Sequence, residues 1–219
     1  MKLSKWSTIA VLMGTSILCA SVQAQDVPGM SVGAFFERRT DNKIGSDELS
    51  FSFYGVRLAT RDARWIDGFV DLGLQGLDFG SYKADDAGCF GLGGTLWFLR
   101  SDDTMLPLDI GVYGSYHTAS YTLTSLSGAD TDARYGWYLA QGVVRGEAMN
   151  GVCPYVKAGV MGSKLDPNDT SVLSNEHLDA VKLAVNVGVQ ITLESKVAIT
   201  VEGNYSEGVG GSAHLDYWF

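Results

Sequence analysis

The stretch "LDAVKLAVNVGVQITL", residues 178–193, alternates strictly. Val181, Leu183, Val185, Val187, Val189, Ile191 and Leu193 fall on one parity, and Lys182, Ala184, Asn186, Gly188, Gln190 and Thr192 on the other. Successive side chains of a β-strand point to opposite faces, so this is a strand with one oily face and one polar or small face. A helix would scatter both sets around its circumference. The same period returns in "LPLDIGVYGSYHT" (106–118), where Leu106, Leu108, Ile110, Val112 and Gly114 oppose Asp109, Gly111, Tyr113, Ser115 and His117. It returns again in "KVAITVEGNYS" (196–206), with Val197, Ile199 and Val201 against Ala198, Thr200, Glu202 and Asn204.

Extended over the chain, this reading gives ten candidate strands: 30–40, 48–60, 65–78, 87–99, 106–122, 134–148, 152–165, 178–193, 196–206 and 212–219. Two are weaker. "LSFSFYGVRLA" (49–59) changes phase near Phe53, which suggests a bulge, and the strand from Arg134 has much Gly and Ala on its outer parity. Reading those two as loops leaves eight strands. Composition agrees with strands and tight turns: 27 Gly and 10 Tyr against 4 Pro.

The connections set the topology. "RDAR", "RSDDTM", "NG" and "ES" are short, whereas "DNKIGSD", "FGSYKADD", "LTSLSGADTDA" and "DPNDTSVLSNEH" are longer and polar. Asn150-Gly151 is a two-residue hairpin signal. Such alternation is what an up-and-down meander yields when all turns of one kind lie at one end. The first residues, "MKLSKWSTIAVLMGTSILCASVQAQ", combine Lys2 and Lys5, an apolar run and the small-residue pattern ending at Ala24. They read as a secretory signal peptide over 1–24, leaving 25–219 as the folded unit. Loss of Lys2 and Lys5 takes 16 basic residues to 14 against 25 acidic, a net charge of −11. Nucleic acid is a poor partner for such a chain, because phosphate binding rests on cations. Beyond residue 24 no run reaches the ~18 apolar residues of a membrane helix.

An exported antiparallel meander with an apolar outer face fits an antiparallel up-and-down transmembrane β-barrel. Two expected aromatic belts favour it over an aqueous sandwich. Trp65, Trp97, Phe98, Tyr155, Tyr217 and Phe219 gather at the periplasmic end, and Phe35, Phe36, Phe51, Phe53, Tyr116, Tyr135, Trp137, Tyr138 and Tyr205 toward the outer end. The closing "HLDYWF" (214–219) places Leu215, Tyr217 and Phe219 on the lipid face. This pattern resembles the C-terminal assembly signal of Gram-negative outer-membrane β-barrel proteins. The resemblance implies an outer-membrane location, contact with outer-membrane lipid and lipopolysaccharide, and handling by the barrel-assembly machinery. It identifies a superfamily and no activity.

Arg57, Asp67, Asp71, Asp109, Arg145, Lys157, Lys182 and Glu202 lie on the parity that would face the lumen. In so narrow a barrel a mixed-sign set reads as an ion-paired plug, with Arg57 near Asp67, and Asp109 level with Arg145 and Lys157. The alternative is a thin porin-like pore for small polar solutes, with Gly91, Gly93, Gly111 and Gly188 supplying room. A lipid-modifying enzyme is the weakest reading, because His117 and Ser120 of "YHTAS" face opposite sides of a strand. The chain reads as non-enzymatic. Three His and two Cys beyond residue 24, widely scattered, show no ligand spacing, so no metal or cofactor is expected. Cys89 and Cys153 fall at opposite ends of the up-down order, too far apart for a disulfide, and are expected to be free thiols. The functional expectation is a structural or surface-interaction barrel with a filled lumen and acidic external loops.

Overall fold

A computed structural model describes residues 29–44, 47–61, 65–80, 82–101, 106–125, 130–146, 151–167, 178–193 and 196–219. The expected signal peptide over 1–24 lies outside them. Ten strands follow in chain order: β1 (Met30–Ile44), β2 (Asp47–Arg61), β3 (Ile66–Phe79), β4 (Tyr82–Leu99), β5 (Leu108–Ser125), β6 (Asp130–Gly146), β7 (Val152–Pro167), β8 (Leu178–Leu193), β9 (Val197–Ser206) and β10 (Gly208–Trp218). Each pairs antiparallel with its neighbours, and β10 pairs with β1, closing the barrel. The Phe219 amide carries the seam one step further by donating to the Met30 carbonyl at 3.1 Å. Closure removes the sheet edge over the height that β9 and β10 reach, while β8 above Val185 has no β9 partner among the described residues.

The stagger follows from the pairing. From Phe35 one path of directly opposed residues runs through Gly55, Gly73, Cys89, Ala119, Tyr135 and Leu165 to Leu178 on β8. The other way round, through His214 and Thr200, it reaches Gln190. The two ends lie twelve residues apart on β8, from 178 to 190, so the strands tilt by roughly 35–45° as barrel closure demands.

Both parities of the deciding stretch fall as read. Val181 and Leu183 are 66% and 67% exposed while Ala184 and Asn186 are buried. Outward Leu58, Leu72, Leu92, Val112, Val144, Val156, Val187, Val201 and Leu215 continue the apolar band around the wall. Outward Phe36, Tyr54, Phe90, Tyr116, Tyr138 and Tyr205 form its upper margin, with Phe36 opposite Tyr54 and Tyr116 opposite Tyr138. Trp65, Phe98 and Tyr217 mark its lower margin.

Four expectations are corrected. Phe35, Phe51, Phe53, Tyr135 and Trp137 do not belong to the outer belt; they point inward and are at most 5% exposed. Trp97 and Tyr155 likewise face the lumen. The phase of β2 does not change at Phe53, because Leu49, Phe51, Phe53, Gly55 and Arg57 all sit on the inner face in unbroken register with β3. The bulge lies instead between Arg39 and Asn42, where β1 meets β2. The long connections after β1, β3 and β5 shrink to 45–46, 80–81 and 126–129, because their polar residues extend the strands beyond the apolar band. Only residues 168–177 separate β7 from β8 widely. With ten strands formed, the eight-strand alternative falls.

That extension reverses the pattern of the membrane zone. Above the aromatic margin the outward residues are polar, including Glu48, Asp78, Ser120, Thr122, Asp130 and Asp132. The inward ones are apolar: Leu49, Phe51, Leu77, Phe79, Tyr121, Leu123, Tyr135 and Leu165 form one buried cluster. The same strands are therefore oily outside and polar inside below, and polar outside with an oily core above. The β9–β10 hairpin is shorter and turns at Glu207 (φ 63°), so the wall is lowest there.

Candidate functional site: the lumen

Register builds the first charged group. Arg57 and Asp71 are directly opposed on β2 and β3 and point inward. The Arg57 Nε and one terminal nitrogen each donate to one Asp71 oxygen at 2.7 Å, a bidentate fork. His117 Nε2 lies 3.1 Å from the same carboxylate. The guanidinium carbon stands 3.9 Å from the centre of the Phe69 ring. Asp67, expected to pair with Arg57, sits two inward positions too low, opposite Arg61; it accepts from the Trp97 indole N–H at 2.8 Å.

A second group joins Lys157 to Glu202 at 2.5 Å. Glu202 also accepts from Asn186 Nδ2 at 2.6 Å, and Asn186 Oδ1 accepts from Gln141 Nε2 at 2.9 Å. Four strands are thereby tied across the lumen. Lys157 Nζ further stands 4.4 Å from the centre of the Tyr113 ring. A third group, at the lower end, pairs Arg145 with Asp109 at 2.6 Å, as their opposed register dictates, with Arg100 at 3.7 Å from the other Asp109 oxygen. Lys157 therefore does not share Asp109 with Arg145. Lys182 stands apart from all three, paired at 2.7 Å with Glu207 in the turn between β9 and β10.

Charges removed from water need partners, and each buried acid here has one. Asp71, Asp109 and Glu202 each face a cation, Asp109 two of them, while Asp67 is held by the neutral Trp97 indole. Sequence reading listed most of the charged members but missed Arg100 and Glu207, and it missed Asn186 and Gln141 although both stand on the lumen parity. It also missed Arg39, 2% exposed, which donates to Glu37 at 2.7 Å and to Met161 Sδ at 3.3 Å.

Above the charged layers the lumen is closed by rings. His117 stacks on Trp137 with centres 4.1 Å apart, Trp137 on Phe51 at 5.6 Å, and Phe53 meets the His117 edge at 5.3 Å. The glycines expected to supply room for a pore are covered: His117 lies against Gly91, Phe69 against Gly93, Trp97 against Gly111 and Tyr155 against Gly188. A cavity of about 200 Å³ runs from Trp97 and Trp218 at the lower end past Arg57, Lys157 and Glu202 up to Glu37, Arg39, His117 and Trp137. His117 and Ser120 face opposite sides of β5, the first 2% exposed and the second on the outer wall. Cys89, within β4 rather than at its outer tip, and Cys153 are both buried free thiols. The Cys153 thiol donates to the Gly146 carbonyl at 3.0 Å. Among the described residues no cluster of His, Cys, Asp and Glu has the arrangement to hold a metal ion.

No protein-family model matches the sequence. Comparison with curated proteins finds no match either. Solved structures do match. The translocator domain of the autotransporter NalP from Neisseria meningitidis superposes with a TM-score of 0.50 at 12% identity, covering 96% of each chain. Ail, the attachment invasion locus protein of Yersinia pestis, gives 0.43 at 16% identity over 88% of this chain and all of that one. The outer membrane protein OprG from Pseudomonas aeruginosa gives 0.40 at 12% identity, over 87% and 90%. At these identities the likeness is one of fold. That fold is a closed antiparallel β-barrel, and the apolar band around its wall is the face such a barrel turns to lipid.

Proposed function

We propose that the protein is a non-conducting, non-enzymatic barrel that acts through its outer surfaces, with the lumen serving as internal bracing. One observation carries the reading. The stack of Phe51, Trp137, His117 and Phe53 fills the lumen above the ion pairs, and these four are at most 3% exposed. A solute path would have to break both the ring stack and a paired charge layer, and stranding one buried charge costs about 3–5 kcal/mol. The acidic, hydroxyl-rich wall above the apolar band is the surface left for partners. Contact with the barrel-assembly machinery through Leu215, Tyr217 and Phe219 belongs to the same proposal. Leu215 and Tyr217 are half-exposed on the lipid face, and Phe219 stands at the seam.

Planar-bilayer recording on the purified, refolded barrel tests this. The expected record has no steady current at any holding voltage the bilayer tolerates. Reproducible ohmic steps in proportion to the inserted protein would replace this reading with that of a narrow channel.

A further inference from the structure

We infer that the notch in the wall above the β9–β10 hairpin is a docking site for an extended segment of another protein, which pairs as a strand with the free edge of β8. The inference deepens the proposed function by naming the kind of partner, and it rests on that reading only in bringing the partner from outside.

The notch follows from register. β9 pairs with β8 only as far up as Tyr205 opposite Val185, and β10 with β1 only as far as Val209 opposite Thr40. β8 continues to Leu178 and β1 to Ile44, so above the hairpin each has one edge without a strand partner among the described residues. Lower down, two intervening strands hold β1 and β8 roughly 14 Å apart. Above the hairpin they close to within 8 Å, Cα to Cα, which is still wider than the spacing of about 4.8 Å that a ladder needs. One inserted strand would set them about 9.6 Å apart, so it asks only a slight parting of the tips.

The backbone decides what can fill the gap. The Thr192 N–H donates to the Gly151 carbonyl at 2.8 Å, on the β7 side. The β7–β8 register runs unbroken from Ile191 to Leu178, so the even-numbered residues of β8 turn their N–H and C=O toward β7 and the odd-numbered ones away from it. Above Val185 the odd residues are Leu183, Val181 and Asp179, which put three donors and three acceptors on the open edge. An extended peptide meets all of them in sequence, and neither an acyl chain nor a sugar does. A second barrel is no substitute, because its own free edge is set in its wall and cannot enter a gap one strand wide.

Side chains add selection. Val181, Leu183 and Val209 are 66%, 67% and 65% exposed. Tyr205 of the aromatic margin stands opposite both Val185 and Val209, so Leu183 and Val181 rise two and four residues above the level of that pair. There they are an exception on a polar outer face, and apolar residues clustered outside the lipid band mark a protein contact. Arg38, outward and exposed on β1, lies two residues below the last β1–β10 pair and has no partner among the described residues. It gives the floor of the notch an uncompensated positive charge, whereas Lys182 is matched by Glu207 at 2.7 Å. The partner segment therefore runs antiparallel to β8 and prolongs β9. It carries apolar residues at alternate positions beside Val181 and Leu183, and a carboxylate near its N-terminal end for Arg38.

The probe is a capped heptapeptide, Glu followed by three Val-Thr repeats, whose binding to the refolded full barrel in lipid nanodiscs is read by fluorescence anisotropy. N-methylation of its three valines removes the ladder donors and is expected to weaken binding at least ten-fold. Lys in place of Glu is expected to weaken it about three-fold, a difference that disappears in R38Q. V181P deletes one N–H that faces the notch while leaving the β7 ladder whole, and is expected to lose as much as N-methylation does. V181T/L183T keeps the backbone and is expected to lose about three-fold. Heat-modifiable gel mobility shows which variants are folded. Hydrogen exchange in the free barrel is expected to be faster at Val181 and Leu183 than at Ala180 and Lys182, and the peptide to slow the first pair. No binding of the parent peptide at millimolar concentration, equal binding of its N-methylated form, or full binding by both folded variants overturns the assignment. So does slow exchange at Val181 and Leu183 before peptide is added, which gives the edge to another part of this chain or, where protection deepens with barrel concentration, to a second copy. None of these readouts is a current, so this inference and the non-conducting reading fail separately.

Discussion

Arg57 and Asp71 face each other across β2 and β3 and share two hydrogen bonds of 2.7 Å, with the carboxylate only 1% exposed. The fork is the best-made polar contact in the lumen, and its value lies in the cost of breaking one side. Arg57→Met is expected to destabilise the barrel by about 3 kcal/mol, because it strands a buried carboxylate, whereas Arg57→Met with Asp71→Leu recovers much of that loss. Equilibrium urea unfolding in lipid vesicles measures both. A single variant as stable as wild type would show that water reaches Asp71 freely.

The apolar band makes a depth-dependent prediction. Val187 lies at mid-height of the lipid face and Thr122 on the polar extension. Val187→Arg is expected to cost about 2–4 kcal/mol and Thr122→Arg almost nothing, measured by the same unfolding titration. Equal costs would place the membrane elsewhere on the wall.

The ring stack can be emptied. Phe53→Ala with Trp137→Ala removes two large side chains that are 0% and 1% exposed. Truncations of this kind cost about 3–5 kcal/mol each where the site cannot collapse. The double variant is expected to be less stable and, where it still refolds, to pass a small current in planar bilayers that wild type does not.

Both thiols are shielded. Cys89 is 4% exposed and Cys153 9%. Neither is expected to react with a polar maleimide in the folded barrel, and both should label after boiling in detergent without reductant. A mass two hydrogens lighter, with no labelling, would reveal a disulfide and a different strand order.

The fold was legible because period two survives from end to end, and the parity of Lys182, Asn186 and Gln190 against Val181, Val187 and Ile191 needs no partner to be read. Ion pairing was less legible. Whether Arg57 meets Asp67 or Asp71 depends on which residue of β3 stands opposite it, and the connection after Arg61 fixes that register by pairing Arg61 with Asp67. The aromatics misled for a different reason. Height along the strand was right for Phe51, Phe53, Tyr135 and Trp137, but a ring near the outer interface can serve the girdle or the core. Parity distinguishes the two: Phe51 and Phe53 share the face of Arg57, and Tyr135 and Trp137 that of Arg145. The loops were misjudged because polar sequence beyond a membrane does not require irregular backbone; it can continue as strand when its alternate residues have a core to fill.

The oily cluster above the bilayer is assembled from the far tips of strands 2, 3, 5, 6 and 7, so no single hairpin owns it. Until the last tip arrives, Leu49, Leu123 and Leu165 have nothing to rest against. Extraction of any one hairpin would likewise bare the others to water. The outer cap thus acts as a latch on the whole cylinder, making its unravelling a single concerted event rather than a peeling from the seam.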